Sequence, residues 1–421
     1  MTSFALTPSL FHFEAATRAG TAQPAAPVRF LTQPAGDRMQ LITTRAGFDA
    51  LEADWNGLFD RAGRGEQMFQ TFNWLWHWAN HYLVEDADTL AIVAVRRAGH
   101  LVAILPLCIE RTAGIKQLVF MGDPVGQYGD ALVEDMPGQP EMLGHALGFA
   151  IKQTRPDVVR LTKVREDAAL APVLAQLKAT VTSFEDAPYA DLQQAGDLAS
   201  YNTRFSAKCL KNRRRQGRRL EDHGTVALDW TLSGRAASDA ARTAMSLKRG
   251  WMKVRGQLSR ALADPRTDRF FADVCAGDQR PAGVQVLLLR SGGEIANAAI
   301  TVTAKGRQAI HVLAFGLKFE KCAAGVLHVE RIVENAFAST VTTLDFLAPR
   351  HDYKLEWCDG AVRVNDHALP LTLPGTAFTH VYLVVVREKL KAALKSAPHA
   401  AAKPAALAQR MLHALTARGG A

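Results

Sequence analysis

The sequence is poor in cysteine and in long apolar runs. Its five cysteines are scattered and never stand in CxxC spacing, which indicates neither a disulfide framework nor a zinc site. The longest aliphatic run, Val381–Val386, falls far short of the roughly 20 residues that a membrane-spanning helix needs. The first residues lack a basic start followed by an apolar core, so no signal peptide is predicted. We therefore expect a cytoplasmic protein without a transmembrane segment.

Several motifs of common enzyme classes are also missing. The chain has no GxxxxGK[ST] phosphate loop, no GxGxxG after a strand, no HExxH and no GxSxG. Its 13 histidines are spread without the spacing of metal ligands, so no metal is expected. These absences argue against nucleotide hydrolysis, zinc-dependent hydrolysis and serine hydrolysis.

What is present suits a large soluble enzyme. The 421 residues are 48% hydrophobic and 22% charged, enough for two or more domains with buried cores. The formal net charge of +9 favours anionic partners, such as a phosphorylated cofactor, an acidic glycan, nucleic acid or an anionic membrane surface.

The chain is predicted to have four parts. Residues 1–39, rich in Ala, Pro, Thr and Gln, are expected to form a loose arm, and residues 376–421 a basic, Ala-rich tail. Between them strand and helix patterns alternate, which predicts an α/β (α+β) fold with hairpins and crossovers. A three-strand meander ending near Ala314 repeats one in the first half. We therefore predict two duplicated units, residues 40–200 and 201–375.

Three single elements matter below. A continuous strand is predicted at Leu101–Ile109, and a helix at Val326–Ala338. A basic helix is predicted across Asn202–His223, with seven Lys and Arg residues between Lys208 and Arg219. This helix could hold an anionic glycan, a lipid-linked phosphate or nucleic acid, or it could be a solvated helix whose side-chain stems cover apolar surface.

The segment Lys321–Leu327 joins the last strand of the second meander to the helix that follows. Its small residues, Cys-Ala-Ala-Gly, would let backbone N–H groups approach an anion at the helix N-terminus, as a pyrophosphate requires. The same spacing is equally typical of an ordinary connection with a glycine for turn geometry. Spacing alone leaves both interpretations open.

Four motifs stand out in the second half: Lys248–Trp251, Cys322–Gly325, Leu344–Leu347 and Tyr353–Trp357. In these motifs the second half resembles the GNAT acyltransferases of the CelD type, which are associated with cellulose and exopolysaccharide biosynthesis and distantly related to Fem-type transferases. Three first-half motifs follow the same family pattern: Phe72–Trp78, Ile104–Leu107 and Tyr128–Asp130. The resemblance covers residues 41–370. In the loop, Ala323-Ala324 replaces the usual Ser-Pro.

This resemblance implies two tandem GNAT-type units, each a mixed, mainly antiparallel sheet flanked by helices, with acyl-CoA as the donor. It implies Asp345 as a base and Lys354 as a second catalytic residue; Asp345 could instead cap a turn or pair with Lys354, and His351 could be the base. The implied cofactor-binding residues are Ala314, Phe315, Lys321, Ala323, Ala324, Gly325 and Val326. The implied acceptor-binding residues are Tyr128, Asp130, Lys248, Trp251 and Tyr353.

Three functions are compatible with these observations. The first is an acyl-CoA-dependent N- or O-acyltransferase acting on a cell-envelope or polysaccharide-related acceptor, with the basic tail allowing association with the inner membrane surface. The second is a Fem-like aminoacyl transferase that uses charged tRNA, against which the absence of a sustained heptad run argues. The third is a non-catalytic GNAT-fold binding module. A nucleic-acid partner is not expected for the first function.

Overall fold

The computed structural model describes residues 36–83, 89–230, 232–257, 259–387 and 389. Most of the predicted N-terminal arm and C-terminal tail therefore lies outside the described residues. Strands and helices alternate along the rest, and two sheets with helices packed on them form a mixed α/β structure. The predicted fold class is confirmed.

One sheet has four strands in the order β1-β2-β3-β6, and the other has ten in the order β4-β5-β7-β14-β8-β13-β12-β11-β10-β9. The strands are β1 Asp37–Ile42, β2 Ile92–Arg97, β3 His100–Leu105, β4 Leu107–Thr112, β5 Ile115–Phe120, β6 Leu132–Val133, β7 Val158–Arg165, β8 Thr180–Asp191, β9 Val226–Asp229, β10 Gly283–Ser291, β11 Glu294–Ala304, β12 Arg307–Phe315, β13 Thr343–Asp345 and β14 Gly360–Pro370. Most neighbouring pairs are antiparallel; β5–β7 and β12–β13 are parallel.

The α-helices are α1 Arg45–Asp49, α2 Glu52–Ala62, α3 Phe72–Tyr82, α4 Gln139–Thr154, α5 Ala171–Gln176, α6 Leu192–Ala195, α7 Leu198–Asn202, α8 Ala207–Glu221, α9 Gly234–Val254, α10 Arg260–Ala263, α11 Arg266–Ala276, α12 Ala324–Phe337, α13 Asp352–Leu355 and α14 Leu373–Ala377. Two 3₁₀ helices, Gly65–Gln70 and Leu317–Cys322, and a π-helical segment, Phe378–Val386, complete the described chain.

The predicted strand Leu101–Ile109 was wrong in its continuity. It is two strands, β3 and β4, which belong to different sheets. Pro106 stands between them, and proline has no N–H to donate to a strand ladder. The four-stranded sheet thus separates from the ten-stranded sheet at this residue.

The large sheet is continuous across the predicted boundary near residue 200. Strand β8 of the first half pairs with β13 of the second, and β14 pairs on its two sides with β7 and β8. The chain therefore returns to the first half after completing the second meander. The limits of the two units remain predictions.

The predicted meander of the second half is confirmed as β10, β11 and β12, paired antiparallel. Apolar side chains on β11, such as Ala298, Ile300 and Val302, are fully buried in the main core. Because successive strand residues point to opposite faces, β12 sends residues both into this core and toward α12. It is this strand that positions the candidate site.

Candidate active site

A cleft opens where the parallel strands β12 and β13 separate. They pair at only three positions, the last being Ala309 with Asp345. Strand β12 continues to Phe315, whereas the neighbouring chain leaves the sheet at Leu347, whose φ of 58° is left-handed. The side of β12 that faces this gap therefore has no neighbouring strand beyond Ala309.

A cavity of about 190 Å³ fills the gap. One wall is apolar and is built by Ile310, Leu313, Val329, Phe346, Leu347, Ala348 and Pro349. The other wall is polar and is built by Gln127, Lys248, His311, His351, Tyr353 and Lys354. Gln127 comes from the first half of the chain, so residues from both halves line the cavity. The predicted residues Lys248, Tyr353 and Lys354 are brought together here.

Lys354 projects into the cavity from α13 and is only 7% exposed. Its Nζ donates to the carbonyl oxygens of Leu347 at 2.7 Å and Pro349 at 2.9 Å. An ammonium has three N–H donors, so one remains for a ligand. Burial lowers the pKa of Lys354 to about 8.

Lys248 reaches the same cavity from α9, the helix that packs across β12. Its Nζ donates to the carbonyl oxygen of Leu313 at 2.9 Å and lies 5.2 Å from the centre of the Trp251 ring. Burial lowers its pKa also to about 8. Two of its N–H donors have no acceptor among the described residues.

Two histidines complete the polar wall. His351 stacks on Tyr353 with ring centres 6.1 Å apart, and its pKa is lowered, first by desolvation and then by the nearby Lys354. His311 lies 2.6 Å from the carbonyl oxygen of Val125 through Nε2, and burial lowers its pKa to about 4. Both rings are therefore neutral at pH 7 and can accept a proton or a hydrogen bond.

Asp345 lies next to the cavity but does not line it. Its buried carboxylate accepts from the Tyr128 hydroxyl at 2.9 Å, from Arg307 Nη1 at 2.9 Å and from the Leu347 N–H at 2.9 Å. Arg165 Nη1 lies at 3.8 Å. Burial, and next the charge of Asp345, raise the pKa of Tyr128, which therefore stays protonated. These contacts favour a positioning role for Asp345 over that of a base.

Asp130 is placed away from the cavity. Its buried carboxylate accepts from the side chain of Gln67 at 2.9 Å and from the N–H groups of Ala169 and Leu170 at 3.0 and 3.1 Å. Burial raises its pKa. Asp130 thus joins three segments of the first half and does not line this cavity, so its acceptor-binding role stays a prediction.

The predicted cofactor loop is partly filled by protein. A Cβ on Gly325 would stand 2.1 Å from the ring of Phe315, so the glycine is needed for this ring to pack. The Phe315 ring in turn stacks on Trp251, with centres 5.4 Å apart. Ala323 adopts a left-handed φ of 51° immediately before α12 begins at Ala324.

The backbone hydrogen bonds of the loop show which N–H groups remain free to bind an anion. The N–H of Ala323 donates to Glu320, and those of Val326 and Leu327 donate to Ala323. The first helical amides, of Ala324 and Gly325, have no acceptor in the part of the chain that the structure describes. Lys321 is exposed beside them, whereas Ala314 is buried in the core.

Sequence reasoning missed Gln127, His311 and the whole apolar wall. The sequence offered one signal for Gln127, namely its position directly before the predicted site residue Tyr128. The wall could not be found because nothing in the residue pattern shows where two parallel strands separate.

The predicted basic helix is confirmed as α8, but it begins five residues later than predicted, at Ala207, because Ser206 caps its N-terminus. Its charges fall into two groups. Lys208, Lys211, Arg214, Arg215, Arg218 and Arg219 are exposed. Arg213 is instead buried, with its guanidinium 3.8 Å from the ring centre of Phe205 and 4.0 Å from that of Trp357. One of the seven cations therefore stabilises the fold through cation–π contacts.

None of the described helices is both long and apolar enough to cross a bilayer. Within the same residues, no group of three or more His, Cys, Asp or Glu side chains is placed to hold a metal ion.

Comparison with known proteins adds a family match and several folds. Residues 207–355 match the family model described as acetyltransferase (GNAT) domain, and this segment contains α8, α9, the second meander, α12 and the cavity lysines. No curated protein matches the sequence. Among solved structures, FemX is similar with a TM-score of 0.55 and 11% identity, over 82% of this chain and 99% of that chain.

Two other solved structures are less similar. L-PGS from Bacillus licheniformis has a TM-score of 0.49 and 12% identity, over 78% of this chain and 95% of that chain. A tandem GNAT protein from the clavulanic acid biosynthesis pathway has a TM-score of 0.42 and 13% identity, over 79% and 98%. Residues 207–355 therefore match a GNAT acetyltransferase domain, and the chain shares the fold of FemX.

Proposed function

We propose that this protein is an acyl-CoA-dependent N- or O-acyltransferase and that transfer takes place in the cavity beside β12. One observation carries the proposal. Within the segment that matches the GNAT model, two parallel strands separate after three residue pairs and leave a two-walled cavity at the start of α12. The motif order of the sequence supports a CelD-type enzyme with a cell-envelope or polysaccharide-related acceptor.

The residues present fit an acyl-CoA donor at the apolar wall. Bound there, acyl-CoA would supply an activated thioester. The wall from Ile310 to Val329 can hold the acyl group, and Lys321 with the free amides of Ala324 and Gly325 can contact phosphate. The Phe315 ring packs against the Cα of Gly325, next to these amides.

The polar wall offers a donor and an acceptor of protons. The free N–H of Lys354 can donate to the carbonyl oxygen on which negative charge develops during attack. Neutral His351 can take the proton that the attacking amine or hydroxyl loses. The new C–N or C–O bond would form as the C–S bond breaks, and the proton that His351 has taken would pass to the sulfur, which leaves as the thiol.

Asp345 acts on this chemistry through Leu347. The Leu347 N–H donates to Asp345, and the Leu347 carbonyl oxygen accepts from Lys354. One peptide unit therefore joins the buried carboxylate to the lysine ammonium. We assign Asp345, together with Tyr128, the positioning of Lys354.

The test is release of CoA thiol from acetyl-CoA and longer acyl-CoAs in the presence of pooled amino sugars, amino acids and sugar phosphates. We expect turnover that Lys354→Met lowers about 10²- to 10³-fold and that the exposed-lysine control Lys152→Met leaves intact. No binding of any acyl-CoA by calorimetry at millimolar concentration would overturn the donor assignment. Transfer from charged tRNA with no acyl-CoA turnover would replace it with the aminoacyl transferase. Gly325→Trp is unsuitable for blocking acyl-CoA binding, because the new side chain would displace Phe315 and so disturb the packing of the loop as well.

A further inference from the structure

The cavity carries two lysines and no carboxylate. Of the described residues that line it, none is Asp or Glu. Lys248 on α9 and Lys354 on α13 are more than 100 residues apart in sequence, yet both line this one cavity. Two like charges in a partly buried cavity are unfavourable unless an opposite charge joins them.

The existing partners of the two ammonium groups do not supply that charge. Lys248 bonds to one backbone carbonyl and Lys354 to two, and carbonyl oxygens are neutral. Among the described residues three N–H donors therefore remain, two on Lys248 and one on Lys354. The side-chain amide of Gln127 lies on the same wall.

The titratable groups around the lysines do not neutralise them either. His311 and His351 have lowered pKa values and are neutral at pH 7, and Tyr353 and Cys358 have raised pKa values and are neutral as well. The nearby carboxylates are Asp345, which is hydrogen-bonded to Arg307 and Tyr128, and the exposed Glu185 on β8 and Asp352 on α13. Among the described residues none of these three forms an ion pair with either ammonium group, so a ligand can supply the negative charge.

We propose that Lys248 binds an anionic group of the acceptor, a carboxylate or a phosphate, beside the transfer centre at Lys354. This inference rests on the proposed function, because it takes the bound anion to be part of the acyl acceptor. It narrows the class of acceptor substrates. Acidic sugars, amino acids and phosphorylated precursors fit the polar wall. Polycationic acceptors and neutral glycans do not, because they leave the two ammonium groups uncompensated.

The inference is tested by binding and without turnover. Calorimetric titration of the full chain with benzoate and with phenyl phosphate compares the two anion types on one ring, and benzamide is the neutral control. We expect one or both anions to bind at pH 7 and benzamide not to bind. Lys248→Met should weaken anion binding at least tenfold, and Lys152→Met should leave it unchanged.

A second arm separates the cavity from the basic helix α8. Because the pKa of both cavity lysines is about 8, a rise from pH 7 to pH 9 removes most of their charge and should weaken anion binding about tenfold. Lys211→Met in α8 should have no effect. Binding that is lost in Lys211→Met, kept in Lys248→Met, or equal at the two pH values overturns the inference.

The outcome can be told apart from failure of the proposed function. Anion binding that depends on Lys248, without any acyl-CoA turnover, would remove the acyltransferase assignment and keep the anion site. Turnover of neutral acceptors, with no anion binding, would keep the acyltransferase and remove the anion site.

Discussion

Two charged clusters lie on opposite sides of Leu347 and differ in how their charge is balanced. On one side the carboxylate of Asp345 is buried among Tyr128, Arg307 and a peptide N–H, so every oxygen has partners. On the other side Lys354 faces a cavity with a second lysine and no carboxylate. A balanced buried cluster holds its geometry, whereas an unbalanced one is able to bind and stabilise charge.

The largest effect should come from breaking the balanced cluster. Asp345→Ala removes the carboxylate that Arg307 and Tyr128 contact, and among the described acidic residues Arg307 then keeps Glu66 at 3.6 Å. We expect a loss of about 3 kcal/mol in the free energy of unfolding, measured by urea denaturation. Asp49→Ala, which breaks an exposed pair with Arg45, is the control and should lose less than about 1 kcal/mol. Equal losses would show that the cluster contributes no special stability.

Breaking the unbalanced cluster should act on rate instead. Lys354→Met removes a donor aimed at the reacting oxygen, and kcat should fall about 10²- to 10³-fold. The urea midpoint should move much less than in Asp345→Ala, because a methionine fills the same apolar space. A variant that is folded and fully active would exclude Lys354 from the chemistry.

The pH dependence of kcat/KM distinguishes the lysine cluster from the Asp345 cluster without a mutation. The lowered pKa of Lys248 and Lys354, about 8, means that they are charged below pH 8 and lose charge above it. The kcat/KM should therefore fall about tenfold from pH 7 to pH 9 for each lysine that must be charged. Tyr128, whose pKa is raised, keeps its proton over this range. A profile that keeps rising to pH 9 would indicate that the neutral amine is the active form.

The smallest effect is expected at the edge of the balanced cluster. Tyr128→Phe removes one donor to Asp345, while Arg307 and the Leu347 N–H keep theirs. We expect a loss of about 1 kcal/mol in unfolding free energy and a few-fold fall in kcat, measured in parallel. If kcat falls as far as in Lys354→Met, then Tyr128 takes part in the reaction directly.

The local sequence pattern was sufficient for the elements around the site. Apolar alternation gave the meander β10–β12, and helical periodicity gave α12 within two residues of its start. The Tyr353–Trp357 motif, which carried the family resemblance, contains two residues that line the cavity, Tyr353 and Lys354. These features depend on neighbours in sequence, which is why they could be predicted.

The features that could not be predicted depend on contacts between distant segments. Strand β14 pairs with β7 on one side and with β8 on the other. The residues of β14 alone do not indicate these partners. Asp130 was predicted as a site residue because aspartate after a glycine-rich loop is typical of binding sites. Its actual partners, Gln67 and Ala169, lie about 40 to 60 residues away in sequence. Gly325 fitted an anion loop by spacing, although the Phe315 ring occupies the space that its missing side chain leaves.

The most direct test is a crystal structure of the protein with CoA bound. The account predicts that the CoA sulfur lies in the cavity between β12 and the Phe346–Pro349 segment, within reach of Lys354 Nζ. CoA bound elsewhere on the chain, with the cavity unchanged and Lys354 remote from the sulfur, would contradict it.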